Sequence, residues 1–158
     1  MIDRIVRLGL LFAYHMLRWS RRFRNPLMRG AYVAVWSRGR LLLIRNSYKP
    51  GETLPAGGLK RGESHRQAAR RELAEEVGLE VTEDQLEFVC EVMIQGRYGR
   101  DCSQFFELHL ENDPDIQIDR REVVWFEFCP EAELPDRPLI RSVRCYLKQR
   151  SRPPVPAR

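Results

Sequence analysis

Residues 57–79, GGLKRGESHRQAARRELAEEVGL, constrain the fold more than any other stretch, because the start, the buried side and the end of a helix are all written in them. Ser64 with Gln67 three positions later forms a capping box, in which each side chain satisfies a backbone N–H of the first turn. Gly78 supplies a residue free to adopt the left-handed conformation that closes a helix. Between those signals, Ala69, Leu73 and Val77 share one arc at about 100° per residue, and Glu72, Glu75 and Glu76 lie within roughly 100° of one another on the adjoining arc. The spacing predicts a helix over residues 64–77 that anchors itself in a core on one face and presents three carboxylates on the next.

Three carboxylates so close raise one another's pKa unless a cation compensates. A hard divalent ion with oxygen ligands is the natural compensator. Taken alone, the cluster also suits a solvated acidic face paired with Arg66, Arg70 and Arg71. The full spacing separates the two readings: Gly57, Glu63, Arg71, Glu72, Leu73, Glu75, Glu76, Gly78 and Leu79 fall where the signature of the Nudix hydrolases has its fixed positions. The chain resembles that family over this window, with every fixed position filled.

The resemblance implies an α/β domain, the family's α/β/α sandwich around a mixed β-sheet. It implies a divalent-metal-dependent hydrolase, using Mg²⁺ or Mn²⁺, that cleaves a phosphoanhydride in a nucleoside diphosphate linked to another moiety. By the same resemblance Glu75 and Glu76 are metal ligands, and Glu72 is a ligand or the base that activates water. Glu63 assists the metal or pairs with Arg71, and a backbone carbonyl of Ala56 or Gly57 completes the metal site. Glu122 resembles an acidic position that contributes a ligand in some members, against a plain surface charge at a strand end. Arg45 is a candidate phosphate contact, and Arg97, Tyr98 and Arg100 would cover the substrate, unless they form only a solvated loop. Two departures are Ala56, where many members have glycine, and Lys60, where many have an acid. A catalytically silent Nudix-fold module that senses a nucleotide is the alternative; such modules often lose catalytic glutamates, and this chain keeps them.

The rest of the chain is organised around that box. The net charge of +5 belongs to the ends: residues 1–30 carry +6, residues 148–158 carry +4, and the middle is acidic at −5. Without an RNA-binding motif, the basic ends give no expectation of specific nucleic-acid binding. Residues 1–28 form a separate segment, with an amphipathic helix over 2–24 whose arginines form one stripe. Such a helix packs on the domain or a second subunit, as in a homodimer, or lies on a membrane surface through residues 1–25. Arg18, Arg21 and Arg22 after the apolar run argue against a signal peptide.

Residues 29–150 read as the catalytic domain. Residues 31–36 and 41–45 form a hairpin, 86–95 and 102–110 are strands joined by a loop over 96–101, and 123–128 is a strand buried on both faces. Residues 139–150 form a terminal helix, and 151–158, with three prolines, a disordered tail. Cys90, Cys102, Cys129 and Cys145 form no CxxC pair, which suits reduced thiols in a cytoplasmic protein, peripheral to a membrane if residues 1–25 bind one.

Overall fold

In a computed structural model of the chain, Gly9 and residues 27–96, 99–118 and 120–151 are described. Apart from Gly9, the expected helix over 2–24 lies outside them, as do Arg97, Tyr98 and residues 152–158 of the tail. The elements are β1 (Leu27–Ser37), β2 (Arg40–Asn46), β3 (Ala56–Gly58), α1 (His65–Val77), β4 (Glu87–Gly96), β5 (Gly99–Leu110), β6 (Val123–Pro130) and α2 (Arg141–Arg150), with 3₁₀ turns at Glu83–Gln85 and Glu131–Asp136.

The strands form one sheet in the order β4-β5-β1-β2-β6, with β3 paired to β1. β1 runs parallel to β5 and antiparallel to β2 and β3, which makes the sheet mixed. Ala31 to Ser37 is an uninterrupted buried run, as a strand covered on both faces requires. Ala31, Val33 and Val35 join Leu42 and Ile44 in a core beneath Ala69, Leu73 and Val77 of α1. Tyr32, Ala34 and Trp36 face the other way, with Leu41, Leu43 and Phe105 beneath Val143 and Tyr146 of α2. The helices thus lie on opposite faces, the expected α/β/α sandwich.

The second layer is tied down by polar contacts as well. The Tyr146 hydroxyl donates to Glu107 Oε1 at 2.5 Å and accepts from Trp36 Nε1 at 3.1 Å. Arg150 bonds the same Glu107 oxygen at 2.9 Å, so a buried carboxylate is satisfied by two donors that α2 brings.

The 31–45 hairpin forms as expected, turning through Arg38 and Gly39 at φ 49° and 72°, the two left-handed residues of a tight hairpin turn. Two expectations are corrected. The strands leave little of the 96–101 loop, because the parallel ladder of β1 runs on to Leu27↔Arg100 and holds residues 99–101 in β5. β6 is not buried on both faces: it is an outer strand of the sheet, and Val124 and Phe126 stay 39% and 37% exposed. All four cysteines are free.

Leu73 is fully buried at the centre of the face that seats α1. Leu73→Ala should therefore destabilise the fold by about 2–5 kcal/mol, the usual cost of truncating a core leucine, read as a lower midpoint in urea unfolding.

Candidate active site

The helix that carries the carboxylates begins and ends as its sequence requires. Ser64 is the N-cap, with both arms of the capping box to Gln67 made, and Gly78 closes the helix at φ 71°. A cap of this kind is worth about 0.5–2 kcal/mol; here it also sets the rotation of the acidic arc against the glycine loop.

Arg71 binds the parts together. Its Nε and Nη2 hold both oxygens of Glu63 at 2.8 and 3.0 Å. Nη2 also donates to the Gly58 carbonyl at 3.0 Å, and Nη1 to Glu72 at 2.5 Å and Glu75 at 3.0 Å. One planar fork therefore ties loop, strand β3 and helix. The bond from Arg71 holds the Glu63 carboxyl down at about 2. Lys60 reaches Glu75 at 3.4 Å and donates its backbone N–H to Glu63 at 2.7 Å.

The three helical carboxylates differ in surroundings. Glu75 is 53% exposed, whereas Glu76 is 3% exposed. Glu76 Oε1 accepts from Asn46 Nδ2 at 3.1 Å, and Oε2 from the Ala56 backbone N–H at 2.8 Å. Burial pushes its carboxyl up to about 8, with the charges of Glu72 and Glu122 adding to the rise. Burial also raises Glu72, against the lowering effect of Arg71. Glu72 packs directly on Gly57: a Cβ there would lie 1.8 Å from Glu72 Oε1. Only glycine admits that approach.

Glu122, from the turn before β6, accepts from the Tyr48 hydroxyl at 2.8 Å. Its charge acts on both Glu72 and Glu76, so the structure brings it to the helical pair. Among the described residues no three His, Cys, Asp or Glu side chains converge as a ready metal cage; the Arg71 guanidinium lies between Glu63, Glu72 and Glu75.

Next to this cluster is a cavity of about 510 Å³ lined by Ala56, Gly57 and Gly58 of the glycine strand, Arg29 and Tyr32 of β1, Tyr48 and Lys49, and Asp101 and Ser103 of β5. Its wall mixes two cations, a carboxylate and two aromatic rings. Apart from Ala56 and Gly57, sequence reasoning missed this wall and also Asn46, because the contacts span the fold: Asn46 and Glu76 are 30 residues apart, Tyr48 and Glu122 are 74 apart. The only linear signal was the cluster of polar residues ending β2.

Other expected residues lie elsewhere. Arg45 is on the opposite face of β2 from Asn46, bonded to Glu52 at 3.1 Å with its guanidinium 4.2 Å from the Trp125 ring centroid. Strand alternation sends neighbouring side chains to opposite faces, so Arg45 is not brought together with the carboxylates. Arg100 is exposed in β5, while Arg97 and Tyr98 lie outside the described residues.

The family model for the NUDIX domain matches residues 26–148. No curated protein matches the chain. Among solved structures, the chain is similar to a MutT NUDIX hydrolase from Burkholderia pseudomallei, at 22% identity and TM-score 0.70 over 78% of this chain and 98% of that one. It is similar also to the NUDIX domain of Shewanella oneidensis NrtR complexed with ADP ribose, at 20% identity and TM-score 0.68 over 79% of this chain and 87% of that one. A third is a bifunctional NMN adenylyltransferase/ADP ribose pyrophosphatase from Francisella tularensis, complexed with AMP and Mn ion, at 20% identity and TM-score 0.67 over 92% of this chain and 47% of that one. Identities this low speak for the fold alone.

The buried Glu76 has a consequence for metal-free protein. Its folded value of about 8 lies above its ordinary 4.5, so the folded state binds the proton more tightly than the unfolded chain does. That contribution to stability is complete below pH 4.5 and is lost as pH rises through about 8. In EDTA the melting temperature should fall across that window, and Glu76→Gln should flatten the slope, as followed by circular dichroism.

Proposed function

The chain belongs to the Nudix family, and from that premise we propose a divalent-metal-dependent hydrolase acting on a nucleoside diphosphate linked to another moiety. The observation that carries the reading is the buried Glu76 carboxylate, which feels the charges of Glu72 and Glu122 and is bonded to Ala56, a residue that lines a cavity wide enough for an organic ligand. Burial raises the carboxyls of Glu72 and Glu76, the charges of neighbouring glutamates add to the rise, and a cation would relieve both. All the donors are oxygens, the set that Mg²⁺ or Mn²⁺ takes. The donor chemistry of these residues therefore fits such an ion, while among the described residues Arg71, not a ready cage, holds Glu63, Glu72 and Glu75.

Glu75, Glu76 and Glu122 would hold the metal, with Glu63 and a backbone carbonyl of Ala56 or Gly57 in support. When bound, it supplies charge neutralisation at the phosphates and a more acidic water. The chain's own residues do the remainder. Arg71 holds Glu63, Glu72 and Glu75 in one arrangement, so that the carboxylates do not have to be ordered during the reaction. Glu72, held above the ordinary carboxylate range by burial and seated on Gly57, is the proton acceptor in this reading. Arg29 and Lys49 give the cavity positive charge suited to phosphate oxygens, and Tyr32 and Tyr48 give it aromatic surface for the organic part of the substrate. No helix among the described residues is long and apolar enough to cross a membrane.

A panel of nucleotides and nucleotide-sugars with Mg²⁺ or Mn²⁺ should show release of a mononucleotide or phosphate. Glu76→Gln and Glu75→Gln should each lower kcat/KM by about a hundredfold or more, in the range seen for removing one electrostatic partner of a transition state. Gly57→Ala should cost about a hundredfold as well, because its Cβ displaces Glu72. Full activity in both glutamate variants would sink the site; tight nucleotide binding without turnover at any metal concentration would favour the sensing module instead.

A further inference from the structure

The turn that follows β2 reaches both acidic elements at once. The β2–β6 ladder slips between Arg45 and Asn46: Arg45 pairs with Trp125, but Asn46 pairs with Val123. The extra residue, Val124, lies on β6, and such a bulge re-aims the strand end next to Glu122. Beyond it Asn46 donates to Glu76 on the helix. The Ser47 backbone N–H donates to the Glu122 carbonyl at 2.7 Å, and the Ser47 hydroxyl to the Arg121 carbonyl at 2.8 Å. The Tyr48 hydroxyl then donates to the Glu122 carboxylate at 2.8 Å. Three consecutive side chains thus span from α1 to the head of β6, and the ring of the last lines the cavity.

We propose that the Asn46–Ser47–Tyr48 turn is a clamp that holds Glu122 beside Glu76, with Tyr48 the positioning residue that aims the Glu122 carboxylate toward the divalent ion and links it to the cavity. The inference rests on the functional reading above, since it assigns Glu122 a share of the metal. Glu122 lies in a turn outside the sheet core, where a carboxylate side chain samples several rotamers unless it is restrained. The Ser47 bonds locate its backbone and the Tyr48 bond locates its oxygen. A phenol with its ordinary pKa of about 10 is protonated at neutral pH, so Tyr48 is a donor. A partner that orients a ligand in this way commonly changes metal affinity by 10–100-fold.

The test uses the full chain, Tyr48→Phe, Glu122→Gln and the double variant, with Mn²⁺ affinity measured by calorimetry and folding checked by circular dichroism. Tyr48→Phe should fold like the parent and bind Mn²⁺ at least about tenfold more weakly. Glu122→Gln should lose at least as much, and the double variant no more than Glu122→Gln alone, because the phenol acts through that carboxylate. If Glu122→Gln weakens binding while Tyr48→Phe leaves it unchanged, or if the two losses add, the clamp is overturned and the functional reading stands. If Glu76→Gln and Glu122→Gln both bind Mn²⁺ as the parent does, the metal site itself is overturned, and the clamp with it.

Discussion

The guanidinium of Arg71 is the interaction on which the arrangement of the site depends. It bonds Glu63, Glu72 and Glu75 and the Gly58 carbonyl, and these belong to a loop, a helix and a strand. A lysine would supply the charge without the planar fork, and the three directions would no longer be set by one group. The side chain is only 18% exposed, which makes these ion pairs worth more than the surface pairs between Arg40 and Asp113 or Lys60 and Glu75.

On the same helix lies a costly burial. Glu76 is buried as deeply as the core residues around it, yet it receives only two hydrogen bonds, from Asn46 and Ala56. A fold selected for stability alone would place an apolar residue there. Keeping a carboxyl at a raised pKa in a cleft is the kind of cost that functional sites carry and structural positions avoid. Gly57 makes the same point from the backbone, since it gives up a side chain so that Glu72 can approach.

What could be read from the sequence was local. Ser64, Gln67, Leu73, Val77 and Gly78 act on their own helix within a few residues, and the structure returns each of them in the expected part. The carboxylate arc followed from the same periodicity. The unequal burial of its members did not, because it depends on Asn46 and the glycine strand folding over Glu76 and leaving Glu75 in solvent. Arg45 illustrates the limit in the other direction: adjacent to Asn46 in sequence, it lies on the far face of the sheet, bonded to Glu52 and stacked on Trp125. Which face a residue takes is set by strand alternation and register, and the bulge that inserts Val124 into β6 beside Asn46 has no linear signature.

The parallel pairing of β1 with β5 has a consequence for the order in which the molecule assembles. Leu27 pairs with Arg100 and Ser37 with Leu110, so the longest ladder in the sheet closes a large loop containing β2, the glycine strand, α1 and β4. Loop closure of that length costs chain entropy before any contact repays it. The box helix and its caps can form early from nearby residues. The cavity wall at Asp101 and Ser103 arrives only when β5 docks, so the carboxylates exist before the space that a substrate would fill.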